Sequence, residues 1–564
     1  MREYKIDNYN KMMILTFDYD AELIKVVKKA SISAHWNSEL KYWAIPVSEY
    51  SVPNIVKIIK DYGFTPAKDK DAEIEPYDYS VSEERMEKLR AVCDLRQFTY
   101  SPRPYQFEAL NYSLLKQNLI IGDDVGLGKT FEAIMYAEAV EAFPCIVIVP
   151  ASVKEQWAEK WAEIVGAGKR TISVIDSKET KNRKNNWKAD IVIINYDIIG
   201  KKKGRGATIN FSELVSTKWK MAIFDEGHFL KSSKSQRTKA AFKIVKAKMK
   251  VLILTGTATM NKPEELWNLL KLVGAEEKIA KDWKTFTIRY CAGHQSKYGW
   301  KSGGATNTLE LNQKLRETCY IRREKRDVLS EMPPVTKQVF KTPIDNEKEY
   351  RYAELDFIDY IEETKGLEKA EKAQEAENLV AIGVMRQLAI AGKLKAIEQY
   401  LKDWKEAENG KLVIYGLHRE PLEYLSKKFN SKLIAGGVSS KEKSEIVKGF
   451  QTNDDTFLFG NMISAGTGID GLQKVCSNML IIELPWRPSD LEQVVGRLDR
   501  SGQELPVTVT FMLADKTIDW DMWEMLADKE SITEAVNKGI DVVKSSSGMK
   551  FIMKSVLRRK KEEQ

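Results

Sequence analysis

The chain has 564 residues, too many for one hydrophobic core, and the length suits three or four compact units of roughly 150 residues each. Hydrophobic residues make up 43% and charged residues 30%, which excludes a wholly disordered chain, a collagen-like chain and a disulfide scaffold. The net charge of +8 permits a polyanionic partner without requiring one.

Membrane, export and metal signals are weak in this sequence. The longest tight apolar run, residues 146–149, is far shorter than the ~18 residues of a membrane span, and residues 1–30 show no signal-peptide pattern. Five cysteines are scattered without a CxxC pair, and there are only four histidines. We therefore expect reduced thiols, no zinc site, no membrane partner and a cytoplasmic location.

The first 72 residues predict a small α/β module. Apolar spacing predicts strands over residues 12–17, 32–36 and 42–47 and helices over residues 21–30 and 52–62. Charged residues follow, and we predict a linker over residues 73–100 that ends before two closely spaced prolines.

Two sets of short apolar runs follow, most of them separated by enough residues for a helix. The first set covers residues 119–121, 146–149, 191–194, 221–224 and 251–254, and the second covers residues 412–415, 456–459, 479–482 and 508–512. Such runs are typical of buried parallel strands, so we predict an α/β fold with two parallel-sheet lobes, at residues 101–340 and 406–530. Between them, residues 341–405 predict a helical connector, and residues 531–564 predict a helical, basic tail.

A glycine-rich turn, Gly122-Asp-Asp-Val-Gly-Leu-Gly-Lys-Thr130, follows the first of these strands and precedes an amphipathic helix. Backbone N–H groups and a helix N-terminus at such a turn suit phosphate oxygens; the lysine would reach the β- and γ-phosphates and the threonine hydroxyl would bind Mg²⁺. The predicted nucleotide contacts in the turn are Asp124, Gly126, Gly128, Lys129 and Thr130. Asp123 stands where the common GxxxxGK[ST] pattern has its first glycine. The alternative is a glycine-rich turn with an incidental Gly-Lys-Thr.

An acidic pair ends the strand at residues 221–224. Asp225 is placed to hold Mg²⁺, and Glu226 to orient and deprotonate the attacking water. Alone, such a pair would be a solvated loop. At the end of a strand about 95 residues after the phosphate turn, it predicts a hydrolytic centre.

The third element is a helix predicted to begin at about residue 490, where Ser489 and Glu492 form a capping-box pattern. Gln493, Arg497 and Arg500 then fall on one face, and two arginines suit the charge of a transferring phosphoryl group. ATP would lie in the cleft between the two sheets, so that closure of the lobes depends on nucleotide. The alternative is a salt-bridged surface helix.

Eight short motifs follow one another in a fixed order. They are Pro104-Tyr-Gln106, residues 123–130, Val149-Pro-Ala-Ser152 with Trp157, residues 225–228, Leu254-Thr-Gly-Thr257, residues 412–415, Ser464-Ala-Gly-Thr467 and residues 493–503. This series resembles the motifs of superfamily-two helicase motors of the Swi/Snf-related type over roughly residues 100–535. The resemblance implies two RecA-like lobes and an ATP hydrolase that uses Mg²⁺. It also implies Gln106 and Gln493 as further nucleotide contacts, with Gln106 recognising adenine.

Other stretches resemble the annealing-helicase branch, whose members rewind DNA and remodel forks. They are Arg289-Tyr-Cys291 with Gly299-Trp300, residues 321–329, and Glu483-Leu-Pro-Trp486. The first 72 residues, with His35-Trp36 and Lys41-Tyr42-Trp43, are similar to the HARP domain of that branch; an unrelated α/β module is the alternative. The resemblance implies a monomeric translocase on double-stranded or forked DNA that anneals strands or remodels forks, with sequence-independent contacts and unknown protein partners.

The DNA contacts implied by the resemblance are Ser152, Thr257, Thr467 and Trp486. For the tryptophan, burial between elements of the lobe is an equal alternative. Two basic stretches, residues 201–205 and 558–561, could touch phosphates or simply be solvated.

The sequence departs from the family pattern at three places: Ala258 replaces a proline, Asp499 replaces a histidine, and the motif around Thr467 is one residue longer. None of these removes a phosphate or metal ligand, so we expect hydrolysis to be retained. Two of the departures, at Ala258 and around Thr467, lie in the motifs that couple hydrolysis to DNA in the family that the sequence resembles.

Two other functions fit the same motifs. The motor could displace proteins such as RNA polymerase from DNA or serve a restriction-type system, or the chain could be an ATP-gated clamp without turnover, which Glu226, Arg497 and Arg500 argue against. The small amount of sequence outside the motor favours a bacterial or viral source; a eukaryotic source would imply a nuclear location.

Overall fold

The computed structural model describes residues 2–7, 12–30, 34–37, 42–46, 52–66, 78–178, 184–203, 206–256, 263–296, 299–302, 304–363, 375–466, 469–527, 552 and 555–556. In this part of the chain no helix has the length and apolar character needed to cross a membrane.

The N-terminal residues form a five-stranded sheet with two helices on it. In spatial order the strands are His35–Asn37, Tyr42–Pro46, Met12–Phe17, Arg2–Asp7 and Thr65–Pro66, and the helices are Ala21–Ala30 and Val52–Asp61. Leu23, Val27, Ile55 and Ile58 are spaced one helical turn apart and are buried against the sheet. The strands Arg2–Asp7 and Thr65–Pro66 were not predicted, and the similarity of this module to a HARP domain stays a prediction.

The prediction of a linker over residues 73–100 is wrong for its second half. Helix Glu83–Arg96 begins at Ser82, whose hydroxyl accepts the Arg85 N–H, and it packs on the first lobe. Leu89 and Cys93 are buried in the core of that lobe, because two apolar residues four apart are enough to bury one stripe of a charged helix.

The first lobe contains a seven-stranded, all-parallel sheet. Its spatial order is Tyr320–Ile321, Leu119–Ile121, Lys250–Leu254, Met221–Phe224, Cys145–Val149, Ile191–Asn195 and Ile172–Val174. The five predicted strands are confirmed, and the two that were missed are the edge strands, which are too short to show a pattern. The helices of eight or more residues are Pro104–Lys116, Lys129–Ala139, Lys154–Val165, Gln236–Ile244, Leu266–Val273, Trp283–Tyr290 and Thr308–Thr318.

Short elements fill the loops of this lobe. They are the helical turns Ala151–Val153, Tyr196–Ile199, Glu213–Ser216, Gly227–Leu230, Pro263–Glu265, Glu276–Ile279 and Lys325–Val328 and the hairpins Gly200–Lys203/Gly206–Ile209 and His294–Ser296/Gly299–Lys301.

The second lobe has a six-stranded parallel sheet. Its spatial order is Val335–Thr342, Val507–Ala514, Asn478–Ile481, Leu412–Gly416, Phe457–Asn461 and Lys432–Ile434. Because Val335–Thr342 pairs along its whole length with Val507–Ala514, it belongs to this lobe. The predicted end of the first lobe at residue 340 is therefore too late. The helices are Arg419–Lys428, Ser440–Thr452, Met462–Ala465, Leu472–Lys474, Pro488–Val495 and residues 518–527.

The predicted connector is helical and packs on the second lobe. Its helices are Glu347–Glu363, Glu375–Gly392 and Leu394–Glu406. Ile397 and Leu401 cover the sheet, and the buried Lys393 ammonium donates to the Asp519 carboxylate at 2.5 Å. The predicted tail lies outside the described residues except at positions 552, 555 and 556, where Ile552 and Val556 are buried in this lobe's core.

Candidate active site

A cleft of about 510 Å³ lies between the two lobes, at the carboxyl ends of the central strands, where α/β sheets bind ligands. Most of the predicted nucleotide-binding and catalytic residues line it: Gln106, Gly126, Gly128, Lys129, Thr130, Asp225, Glu226, Arg497 and Arg500. Residues distant in sequence and belonging to both lobes thus share one cleft.

The phosphate loop joins strand Leu119–Ile121 to the helix that begins at Lys129. Gly126 and Gly128 have φ angles of +97° and +90°, in the left-handed region that favours glycine. The Lys129 Nζ donates to the carbonyl oxygens of Asp123 at 2.7 Å and Asp124 at 3.0 Å, and burial lowers the pKa of this lysine. The ammonium group is thereby held within the loop.

The carboxylates of Asp123 and Asp124 pair with arginines, and neither residue lines the cleft. Asp123 is buried and accepts the Arg323 backbone N–H at 2.9 Å and its Nε–H at 3.0 Å. Asp124 accepts from Arg322 at 2.8 Å and from the Lys325 backbone N–H at 3.0 Å. The predicted nucleotide contact at Asp124 is therefore not found, because its carboxylate is already paired and it does not line the cleft.

Asp225 directly follows strand Met221–Phe224 and is held on both carboxylate oxygens. Oδ2 accepts the Trp157 Nε1–H at 2.8 Å, and Oδ1 accepts the Glu226 N–H at 3.0 Å. Burial, together with the charge of Glu226, raises the pKa of Asp225 to about 6. The Tyr196 hydroxyl donates to the Asp225 carbonyl at 2.7 Å and fixes the backbone of the turn.

Glu226 stands between groups of both lobes. Its φ of +51° is strained for a residue with a Cβ, as is common at functional sites. His228 Nδ1 lies 3.1 Å from Oε2, and the Gln493 amide of the second lobe donates to Oε1 at 3.5 Å. Burial raises the pKa of Glu226, but His228, Lys129 and Arg497 outweigh it and bring the pKa below the usual value. The side chain is therefore a carboxylate at neutral pH.

The arginines lie in the cleft but not on a helix face. Helix Pro488–Val495 begins with a proline in its first turn, with no side-chain cap, and ends before Gly496. The helix thus begins within two residues of the predicted start, but without the predicted capping box, and the placement of the arginines on one helical face is wrong. A Cβ at Gly496 would lie 2.9 Å from the Val125 side chain, so the absence of a side chain lets the backbone turn here against the phosphate loop.

Each arginine has partners in the second lobe. Arg497 donates to the Ile469 carbonyl at 2.7 Å, and Arg500 pairs with Asp470 at 3.1 Å. Burial and the neighbouring Arg500 lower the pKa of Arg497 to about 10, and the buried Arg497 Nε has no hydrogen-bond partner among the described residues.

Gln106 lies beside the phosphate loop. Its Oε1 accepts the Arg103 N–H at 2.9 Å, and its Nε2 donates to the Leu127 carbonyl at 3.4 Å. A Cβ at Gly128 would be 2.9 Å from Nε2, so the glycine makes this close approach possible.

The four predicted DNA contacts are only partly described. Ser152 lies in the turn Ala151–Val153 after strand Cys145–Val149, and Trp486 packs against the second lobe's core with Arg386 5.8 Å from its ring. Thr257 and Thr467 lie outside the described residues, as do Ala258 and the basic residues 558–561. Of the other basic stretch, residues 201–203 form a hairpin strand.

Sequence reasoning missed the functional contacts of four residues: Trp157, Tyr196, Arg322 and Lys325. Two of these hold Asp225 and two lie against the phosphate loop. Trp157 and residues 321–329 belong to stretches that resemble family motifs, but the residues that they contact are known only from the folded structure.

The cleft suits ATP and Mg²⁺. No group of three or more His, Cys, Asp or Glu side chains placed to hold a metal is found in the described part of the chain. A divalent ion at Asp225 would therefore need phosphate oxygens and the Thr130 hydroxyl as well, which is how Mg²⁺ is held in nucleotide sites. The unpartnered Arg497 Nε and the buried Lys129 supply the matching positive charge.

The chain matches known proteins across this region. Residues 77–399 match the SNF2-related domain and residues 392–502 the helicase conserved C-terminal domain. A SWI/SNF-related matrix-associated actin-dependent regulator of chromatin subfamily A-like protein 1 of Xenopus laevis is 26% identical over 91% of this chain and 52% of its own length. The DNA annealing helicase and endonuclease ZRANB3 of Homo sapiens is 28% identical over 77% of this chain and 40% of its own length.

The chain thus spans about half the length of these two relatives. Among solved structures, the Sulfolobus solfataricus SWI2/SNF2 ATPase core in complex with dsDNA is 19% identical, with a TM-score of 0.36 over 78% of this chain and 94% of that chain. The SNF2-related match alone covers more than half of the sequence and contains both the phosphate loop and the acidic pair. The chain belongs to the SNF2-related family, and it is an ATP-hydrolysing enzyme of helicase superfamily two.

Proposed function

We propose that this enzyme is a Mg²⁺–ATP-driven translocase on double-stranded DNA that anneals strands or remodels forked DNA. One observation carries the proposal: the residues assigned to ATP binding and cleavage come from both lobes and line one cleft. Hydrolysis in such a cleft is coupled to the relative position of the lobes, which is what a motor requires.

The residues have distinct tasks in hydrolysis. Lys129 would exchange the two loop carbonyls for β- and γ-phosphate oxygens, and Arg497 and Arg500 would balance charge on the transferring group. Thr130 and Asp225 would hold Mg²⁺, whose chemistry is to neutralise phosphate charge. Glu226, ionised and placed between His228 and Gln493, would orient the attacking water and accept its proton at a carboxylate oxygen.

The proposed substrate, double-stranded DNA along which the enzyme moves (its track), rests on the names of the relatives and on the net charge of the chain. One relative is named a DNA annealing helicase, and the chain's +8 charge is mild for a nucleic-acid partner. A motor must release its track in every cycle, so contacts to phosphates are better confined to one groove than spread over the surface. Ser152 and Trp486 remain the proposed contacts within the described residues.

The first experiment measures the ATPase rate alone and with single-stranded DNA, duplex DNA, forked DNA or RNA. We expect duplex and forked DNA to stimulate most, and Lys129→Ala to reduce the stimulated kcat by at least about a hundredfold. Equal stimulation by RNA, or DNA-stimulated turnover retained by Lys129→Ala, would contradict the proposed track or the assigned site, respectively.

The second experiment tests the proposed product. A duplex bubble held open by a single-strand-binding protein should be rewound in the presence of ATP, and Glu226→Gln should bind the substrate without rewinding it. Duplex-stimulated ATPase without rewinding or fork regression would leave a DNA translocase and reject the annealing activity.

A further inference from the structure

Residues 321–325 run alongside the phosphate loop and bind it at successive positions. The Gly122 N–H donates to the Ile321 carbonyl at 2.7 Å, and the Asp124 N–H donates to the Arg323 carbonyl at 3.1 Å. The side chains reinforce this pairing through Asp123 with Arg323 and Asp124 with Arg322. The start of the loop is therefore fixed to this segment by both backbone and charge.

Lys325 ends the segment and reaches the other lobe. Its backbone N–H donates to Asp124, while its Nζ contacts the Asp499 carboxylate and donates to the Asp499 carbonyl at 2.6 Å. The side chains of Lys325 and Asp499 are 12% and 21% exposed, so the pair is shielded from most solvent screening. Asp499 lies between Arg497 and Arg500, the two arginines of the cleft.

The contact between the lobes is narrow at this place. Val125 and Gly496 line both the ATP cleft and a second cleft of about 550 Å³, whose walls include Lys325 and Asp499. A Cβ at Gly126 would be 3.2 Å from the Arg500 Cβ. Two other polar contacts cross the lobes nearby: Arg103 Nη2 donates to Ser501 Oγ at 2.7 Å, and the Gln493 amide donates to Glu226 at 3.5 Å. Among these contacts, Lys325–Asp499 is the ion pair, and it joins the segment that binds the phosphate loop directly to the arginine turn.

We propose that Lys325 and Asp499 form an interlobe clasp that holds the lobes closed and thereby positions Arg497 and Arg500 at the phosphate loop. Both are positioning residues, and neither lines the ATP cleft. The carbonyls of Asp123 and Asp124 hold Lys129, while their carboxylates hold the segment that ends in the clasp. Phosphate binding at Lys129 is thus linked mechanically to the clasp.

This inference rests on ATP hydrolysis in the cleft and is independent of the DNA track proposed above. It also gives a role to the departure from the family pattern at position 499. A carboxylate there forms an ion pair with the Lys325 ammonium, whereas a neutral histidine ring could only accept a hydrogen bond from it.

The test uses the full chain and three variants: Lys325→Met, Asp499→Asn and the exchanged pair Lys325→Asp with Asp499→Lys. Lobe closure is read by energy transfer between dyes at Ser216→Cys and Ser444→Cys, which are exposed on different lobes, while the native cysteines are buried. With a non-hydrolysable ATP analogue, we expect less energy transfer in both single variants and recovery in the exchanged pair.

Turnover is measured in parallel without DNA. We expect kcat to fall roughly tenfold in each single variant, the KM for ATP to change less than about twofold, and the exchanged pair to recover most of the loss. Lys154→Met is the matched control. Lys154 is also 12% exposed and also binds a carboxylate and a carbonyl, those of Asp176 and Ile175, but within one lobe.

The clasp is rejected if the single variants close as the unaltered chain does, if Lys154→Met lowers kcat equally, or if the exchanged pair recovers neither closure nor kcat. Melting temperatures identify a folding defect; if Lys325→Met fails to fold, the shape-conserving Asp499→Asn variant alone decides. A chain that closes on the analogue but shows no DNA stimulation would reject the DNA track while leaving the clasp intact.

Discussion

The environment of Asp225 shows how single contacts tune this site. Burial and the adjacent Glu226 charge raise its pKa to about 6, and the hydrogen bond from Trp157 opposes that rise. Since a proton would compete with the proposed Mg²⁺ for this carboxylate, the indole N–H favours the ionised form that could bind the metal, and it also fixes the orientation of the carboxylate.

We predict that Trp157→Phe weakens the apparent Mg²⁺ affinity by about tenfold, because removing the contact that holds the proposed Mg²⁺ ligand both misorients that carboxylate and raises its pKa. The measurement is the Mg²⁺ dependence of the ATPase rate at saturating ATP.

Trp161→Phe is the control for that change. Trp161 lies on the same helix, is buried, and donates its Nε1–H to Glu138 at 2.9 Å, away from the cleft. Both variants should lose stability, but only Trp157→Phe should alter the Mg²⁺ dependence; identical curves for the two would remove the assigned role of Trp157.

At the scale of elements, the helices Trp283–Tyr290 and Thr308–Thr318 are joined by a compact ion cluster. The Arg289 Nε–H donates to Glu310 at 2.9 Å, and Lys314 and the Tyr290 hydroxyl also contact this carboxylate. Burial raises the pKa of Glu310, but these three partners outweigh it and hold the pKa at about 2. The Arg289-Tyr-Cys291 stretch is thus tied to the packing of the lobe.

We predict that Glu310→Gln lowers the free energy of unfolding at pH 7. Because the folded-state pKa is depressed, the stabilisation by Glu310 is complete above its usual value of 4.5 and is lost as the pH falls towards about 2. The difference between the unaltered chain and the variant should therefore be constant from pH 7 to about 5 and shrink below that range, as measured by urea unfolding.

Glu317→Gln, on an exposed position of the same helix, serves as the control and should show little effect at any pH. A difference for Glu310→Gln that persists unchanged to pH 3 would show that the ion cluster is not its cause.

At the scale of the molecule, the N-terminal sheet has a hydrophobic cluster of its own, while the lobes have separate ones. Separate cores are typical of units that fold independently. We predict that deletion of residues 1–72 leaves the DNA-free kcat within about twofold.

The comparison is made on the full chain and the deleted chain at equal concentration, with the melting temperature of each recorded. A large loss of DNA-free turnover in a folded deletion variant would mean that the lobes depend on the module.

Local pattern was enough to predict the central strands of the two parallel sheets and the phosphate loop and acidic pair of the cleft, whereas Gln106 was implied by the family resemblance. A buried strand followed by a glycine turn and a helix, or by an acidic pair, has its chemistry within about ten residues, so Lys129 and Asp225 could be placed without knowing their neighbours. Patterns of this kind failed where elements were short, as for Tyr320–Ile321, or where Gly496 ended a helix earlier than its spacing suggested.

Contacts between distant residues required the folded chain. In the sequence, Asp123 is a departure from the phosphate-loop pattern, because it stands where a glycine is expected. In the structure, it is the buried partner of Arg323, 200 positions away. In the sequence, Asp499 is only a replacement of the histidine in the family pattern. In the structure, it pairs with Lys325 of the other lobe, 174 positions away. Charge pairs of this kind depend on which strands are neighbours and on how closely two lobes approach, and neither is encoded in the spacing of nearby residues.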